Sequence, residues 1–205
     1  MEFELGRTPV IPVVVLEDAD LAVPLARALV DGGLTAIEIT LRTPAALDAI
    51  RAVARDVPDA LVGAGTVLTP DQVTAASAAG ARFLVSPGWT DRLLQAMRGS
   101  GLPFLPGVST VSEALGLLER GVTDMKFFPA EAAGGTAYLR ALASPLPRAR
   151  FCPTGGIDAA RAKDYLALPN VACVGGTWMV PPHLLRARAW DEVTALARAA
   201  AELGA

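Results

Sequence analysis

The sequence predicts an α/β fold, a single-domain (β/α)8 TIM barrel spanning residues 1–205, on three observations. Short β-rich apolar runs alternate with Ala- and Leu-rich stretches along the chain, and strict strand–helix alternation implies parallel strands with right-handed crossovers. Eight such units can be counted, and no strong GxGxxG fingerprint follows the first run, which argues against a doubly wound dinucleotide-binding sheet. At 205 residues the chain is compact for a barrel, without linkers, low-complexity tracts or charge runs to mark a second domain.

Taken in order, strands are expected at 10–16 (VIPVVVL), 36–41 (AIEITL), 61–67 (LVGAGTV) and 82–87 (RFLVSP). Four more follow at 103–108 (PFLPGV), 124–129 (DMKFFP), 150–155 (RFCPTG) and 171–179 (VACVGGTWM). The helical pattern falls at about 20–31, 44–55, 70–79, 91–98, 111–120, 135–143, 158–167 and 189–203. Thr43-Pro44, Thr69-Pro70, Thr90-Asp91 and Asp158 read as helix starts. Gly32-Gly33, Gly80, Gly99 and Gly121 read as helix ends.

Composition narrows the function. Hydrophobic residues make up 52% and charged residues 19%, as in a folded globular protein. A net charge of −3 gives no general attraction to nucleic acid or anionic lipid. The run VIPVVVL is too short to span a bilayer, and the acidic start MEFEL is unlike a signal peptide, so a cytoplasmic location is expected. Cys152 and Cys173 lie in apolar segments and read as reduced core residues. The single histidine, His183, reads as a loop residue; a His-based triad or multi-His metal site cannot be built, so no metal is expected.

Barrel active sites form where strands end at their C-terminal side, from residues of several strands. The polar residues on or just after the expected strands are Glu38, Thr40, Arg42, Thr66, Ser86, Ser109, Lys126, Glu131, Thr154 and Thr177. Glu38 and Lys126 stand inside strands whose neighbours are apolar. The chain has only two lysines, Lys126 and Lys163, and otherwise uses arginine for positive charge. An edge lysine with a snorkelling amine would be the ordinary interpretation of Lys126, and an ion pair with Arg42 that of Glu38. The scarcity of lysine and the second ionisable group favour a Schiff-base lysine with a carboxylate acid/base. A low-dielectric interior is expected to lower the lysine pKa and raise that of the carboxyl, and arginine cannot serve as the nucleophile.

The segments EITLRT, GAGTVLTPDQ, FLVSPG, PGVSTVSEA, KFFPAEAAGG, CPTGGI and VGGTWMVP occur in the order and spacing of a known family. From about Val10 to Pro181 the chain resembles the 2-keto-3-deoxy-6-phosphogluconate (KDPG)/4-hydroxy-2-oxoglutarate (KHG) aldolases, with KFFPAE followed by PTGGI the most specific pair. The resemblance implies a class I, cofactor- and metal-independent aldolase, usually a homotrimer, acting on a small-molecule substrate. It makes Lys126 the Schiff-base residue and Glu38 the acid/base, with Arg42 and Thr66 on the pyruvate carboxylate. Thr154, Gly155, Gly156 and Thr177 would hold the phosphate, helped by the positive end of the helix beginning near Asp158. Pro87 and Phe128 would line the pocket. Thr177 stands where the family often has serine, and its added methyl crowds that end. The competing interpretations are an aldolase for another 2-keto-3-deoxy sugar acid, a non-covalent phosphate-binding barrel isomerase, and a non-catalytic binding barrel.

Overall fold

The computed structural model describes residues 4–204. Nine parallel strand segments form two ladders. The first contains β1 (Val10–Val14), β2 (Ala36–Thr40), β3 (Leu61–Gly65), β4 (Leu84–Val85) and β5 (Phe104–Leu105). The second contains β6 (Gly107–Val108), β7 (Asp124–Phe127) and β8 (Arg150–Pro153), and β9 (Val174–Gly176) closes the series. The order is β5-β4-β3-β2-β1-β9 in one sheet and β6-β7-β8 in the other. Isolated parallel bridges link Phe151 to Val171 and Thr154 to Gly175, between β8 and the β9 segment. The result is an α/β domain with a curled parallel sheet.

Nine helices pack outside: α1 (Ala22–Asp31), α2 (Ala46–Asp56), α3 (Pro70–Ala78), α4 (Asp91–Gly99), α5 (Val111–Glu119), α6 (Gly135–Ala143), α7 (Ala159–Leu166), α8 (Pro182–Ala187) and α9 (Trp190–Ala201) among the described residues. Thr69, Thr90 and Asp158 cap their helices as expected, accepting from the backbone N–H of Gln72, Leu93 and Arg161. Thr110 adds a capping box with Glu113 that the sequence reading did not pick out. Thr43 does not cap: α2 begins at Ala46, and the Thr43 hydroxyl donates instead to the Leu16 carbonyl. Gly99 lies inside α4, and the left-handed turn comes at Gly101.

Several strands are shorter than their apolar runs. The expected strand 103–108 is two pieces, because Pro106 has no N–H to give to a ladder. The expected strand 171–179 is regular only over Val174–Gly176. Pro181 and Pro182 then start α8, so His183 is an exposed helical residue rather than a loop one.

Strand periodicity explains why two charged groups are buried. Val10, Val14, Ile37, Ile39, Val62, Ala64, Met125, Phe127 and Phe151 face the helices in the main core cluster. Ile11, Leu61, Phe83, Val85, Leu105, Cys152 and Cys173 form a separate cluster on the opposite, inner face. Side chains alternate along a strand. With Ile37 and Ile39 outward, Glu38 must point inward; with Met125 and Phe127 outward, so must Lys126.

Candidate active site

Glu38 and Lys126 are each only 3% exposed. They occupy β2 and β7, which belong to different ladders, and meet across the interior: Lys126 Nζ donates to Glu38 Oε1 at 3.1 Å. The Nζ also lies 5.5 Å from the centre of the Phe128 ring. Glu38 therefore does not pair with Arg42, the ordinary explanation for a glutamate at that position. An ion pair this deep is costly unless its geometry is good and further partners or a function retain it.

The backbone makes room for this pair. Glu38 pairs in register with Gly63 on β3, and a Cβ on Gly65 would lie 2.1 Å from Glu38 Oε1. Any side chain at 65 would displace the carboxylate. Gly107 is opposite Lys126 in the β6–β7 ladder, where a Cβ would strike the Pro87 carbonyl at 2.2 Å. Pro87 thus shapes the wall next to Lys126, and half-buried Phe128 covers its amine.

Thr66 follows β3 with φ +56, in the left-handed region that β-branched residues rarely occupy. This conformation turns its hydroxyl toward Arg42, whose Nε donates to Thr66 Oγ1 at 3.0 Å. The exposed Arg42 guanidinium so held, beside a half-buried hydroxyl, is suited to a carboxylate arriving from solvent. Thr40, also flagged by its polarity, does something different: its Oγ1 donates to the Val14 carbonyl at 3.0 Å and ties β2 to β1.

Thr154 follows β8 and is 7% exposed. Its Oγ1 is buried and has no protein partner, and it lies so near Gly175 that a Cβ there would be 2.3 Å away. A buried hydroxyl without a partner is costly, which marks this one as a candidate for contact with a ligand. Gly155 and Gly156 continue with φ +108 and +78. Thr177, beyond β9, is exposed at the rim of an apolar cavity of about 640 Å³ that includes Val13, Trp178 and Val180. The helix contribution expected near Asp158 is altered: the Asp158 carboxylate itself caps α7, and its hydrogen bond from the Arg161 N–H holds it below the usual carboxylate range. That end already carries its own negative charge, which offsets the helix contribution that the resemblance implied.

One buried polar residue on or just after these strands was given no role from sequence. Ser86 Oγ is fully buried and unpartnered among the described residues. Cys152 and Cys173 are free and buried, and the Cys173 thiol is pushed well above its ordinary value by its hydrogen bond with Cys152 and by burial. Both thiols are inner-face packing groups, as expected. No three His, Cys, Asp or Glu side chains come together at metal-ligand spacing among the described residues.

Residues 1–196 match the family model described as "Aldolase: KDPG and KHG aldolase". A KHG/KDPG aldolase of Escherichia coli (strain K12) is 52% identical over 198 residues, covering 97% of this chain and 93% of that protein. A 2-dehydro-3-deoxy-phosphogluconate aldolase of Dickeya dadantii is 52% identical over 96% of this chain and 92% of its own length. A KDPG aldolase from Legionella pneumophila, solved with pyruvate captured as a covalent carbinolamine intermediate, superposes with a TM-score of 0.93 at 47% identity, covering 96% of this chain and 95% of that one.

Proposed function

The chain belongs to the KDPG and KHG aldolase family, and from that premise we propose how its residues divide the work. It is a pyruvate-dependent aldehyde-lyase that reversibly cleaves KDPG to pyruvate and glyceraldehyde 3-phosphate. The observation that carries the residue assignment is the buried Lys126–Glu38 contact at 3.1 Å.

Lys126 Nζ attacks the C2 ketone to give a carbinolamine, which loses water and becomes an iminium. The substrate C4 hydroxyl then gives up its proton, the C3–C4 bond breaks, and its electron pair moves toward the iminium nitrogen. The aldehyde leaves and an enamine remains. Protonation of the enamine carbon and hydrolysis release pyruvate and restore the amine. Glu38, within hydrogen-bonding distance of Nζ, carries the protons between these steps. Arg42 and Thr66 hold the pyruvate carboxylate, Thr154, Gly155, Gly156 and Thr177 the phosphate, and Pro87 and Phe128 shape the wall.

The same chemistry cleaves KHG to pyruvate and glyoxylate, since nothing in these steps requires the phosphate. We also take the two ladders to form one closed eight-stranded barrel, with β5 and β6 as one strand interrupted at Pro106 and the bridges from Phe151 and Thr154 joining β8 to β9. A homotrimer fits the exposed apolar side chains Leu68, Val111 and Leu115, which a neighbouring copy would cover. No helix among the described residues is long and apolar enough to cross a membrane, and a cytoplasmic location suits the free, buried cysteines.

A pyruvate-release assay on enzyme dialysed against a strong chelator tests this assignment. KDPG should be cleaved with kcat/KM about 10²-fold above 2-keto-3-deoxygluconate, the same carbon chain without phosphate, given two charge-assisted hydrogen bonds to the phosphate. Equal rates on both acids would remove the phosphate role from the Thr154–Gly156 loop. Activity lost on dialysis and restored by a divalent ion would replace the Schiff base with a metal enolate.

A further inference from the structure

Glu131 ends the KFFPAE segment and has no part in the chemistry above; its carboxylate is engaged by Tyr165 and Arg161. Its backbone and its side chain both reach the strand-to-helix connection that begins at Thr154. The Glu131 N–H donates to the Gly155 carbonyl at 3.1 Å, next to the bond from the Ala130 N–H to the Thr154 carbonyl at 2.9 Å. The Glu131 carboxylate accepts the Tyr165 hydroxyl on Oε1 at 2.5 Å and lies 3.3 Å from Arg161 Nε through Oε2. Arg161 in turn bonds Asp158 at 2.8 Å, the cap of the same helix.

From these contacts we propose that Glu131 is a positioning residue that sets the Gly155–Gly156 loop in its anion-binding shape, bracing it against Tyr165 and Arg161 of α7. The proposal rests on that loop holding the substrate phosphate. The ion pair alone would contribute little, because the Arg161 and Glu131 side chains are 53% and 37% exposed. Two other features give the brace rigidity. Tyr165 is fully buried, so its hydroxyl arrives from a fixed ring rather than a mobile side chain. Burial, and then Glu131 itself, push the Tyr165 phenol far upward, so it stays a donor throughout the working pH range. Contact with the loop is direct as well: a Cβ on Gly156 would meet Glu131 Cγ at 2.8 Å, so the loop lies on the glutamate stem. Gly155 and Gly156 have φ +108 and +78, in the left-handed region that anion-binding backbone concavities use.

Glu131→Ala and Tyr165→Phe separate positioning from general stability when steady-state kinetics are measured on KDPG and on 2-keto-3-deoxygluconate. The phenylalanine variant keeps the buried ring, so it serves if the alanine variant folds poorly. In both, KM for KDPG should rise about tenfold, the scale of one misaligned charge-assisted hydrogen bond, while KM for the unphosphorylated acid and both kcat values stay within about twofold. Equal losses on the two acids would assign Glu131 to stability only, and an unchanged KM for KDPG in both variants would also overturn the proposal. Gly156→Ala, measured alongside, tells the two levels apart. If it raises KM for KDPG while the other variants do not, only the brace fails. If it leaves that KM unchanged, the loop is not the phosphate site and the assignment beneath the brace fails with it.

Discussion

Borohydride reduction in the presence of pyruvate will leave one stable adduct, on Lys126, and none on Lys163. The two lysines of the chain make this a sharp comparison. Lys163 lies on α7 and is exposed, lining an open surface cavity of about 840 Å³ together with Glu202, so it meets pyruvate and reductant freely but stands apart from the buried Glu38 carboxylate that Lys126 contacts. Lys126 is nearly excluded from solvent, yet its amine lies 3.1 Å from Glu38. Reactivity governed by access would label Lys163; reactivity governed by site geometry labels Lys126. Peptide mass mapping reads the result directly, and an adduct on Lys163, or none on either, would end the Schiff-base assignment.

Lys126→Arg gives the same conclusion through kinetics. Arginine is the right replacement because removing the charge would strand the Glu38 carboxylate in the interior, a change costing about 3–5 kcal/mol. The guanidinium keeps the charge and can still donate to Glu38, but it stays protonated and cannot form the imine. Activity should fall by roughly 10⁴–10⁶-fold, the scale of a lost covalent nucleophile. Fitting the larger head group against Phe128 and Pro87 should cost stability by about 1–3 kcal/mol, visible as a lower melting temperature with the fold retained. A folded Arg variant with substantial turnover would show that the nucleophile is elsewhere.

The parts of this site legible in the sequence are those set by local chemistry. Lys126 and Glu38 could be read because strand alternation forces a charged residue between two core residues onto the other buried face. Thr69, Thr90 and Asp158 could be read because a cap bonds an N–H only two or three residues on. Thr43 has the same local signal and caps nothing, since the Leu16 carbonyl, 27 residues earlier in the chain, takes its hydroxyl. Nearness in sequence misled only the ordinary interpretation of Glu38, while the chemical one had already paired its role with Lys126. Arg42 is close in sequence, but β2 ends at Thr40 and Arg42 turns out to Thr66, while Lys126, 88 residues away, arrives from another ladder. Glu131 was visible as a polar residue after a strand, and only the packing of β7 against the β8–α7 connection reveals what it braces.

The contact that nearness in sequence could not supply also decides what Glu38 does. Glu38→Gln keeps size and hydrogen bonding, since the amide oxygen can still accept from Lys126, but it removes the transferable proton. If Glu38 only neutralised a buried cation, the variant would lose stability while turnover per folded molecule stayed near native. As the acid/base, its loss should lower turnover by ~10²–10⁴. Proton exchange at the pyruvate methyl group needs only imine and enamine formation, without any aldehyde, so it should fall in parallel with cleavage. Pyruvate affinity should change far less, because the Arg42–Thr66 pair, with its own 3.0 Å bond and its own backbone strain, does not depend on the Glu38 carboxylate. The amide also fits where the acid did, over the bare Cα of Gly65, so a drop in exchange cannot be charged to steric displacement. A folded Gln variant exchanging methyl protons at the native rate would move the base to another group and leave Glu38 as the counter-charge of Lys126 alone.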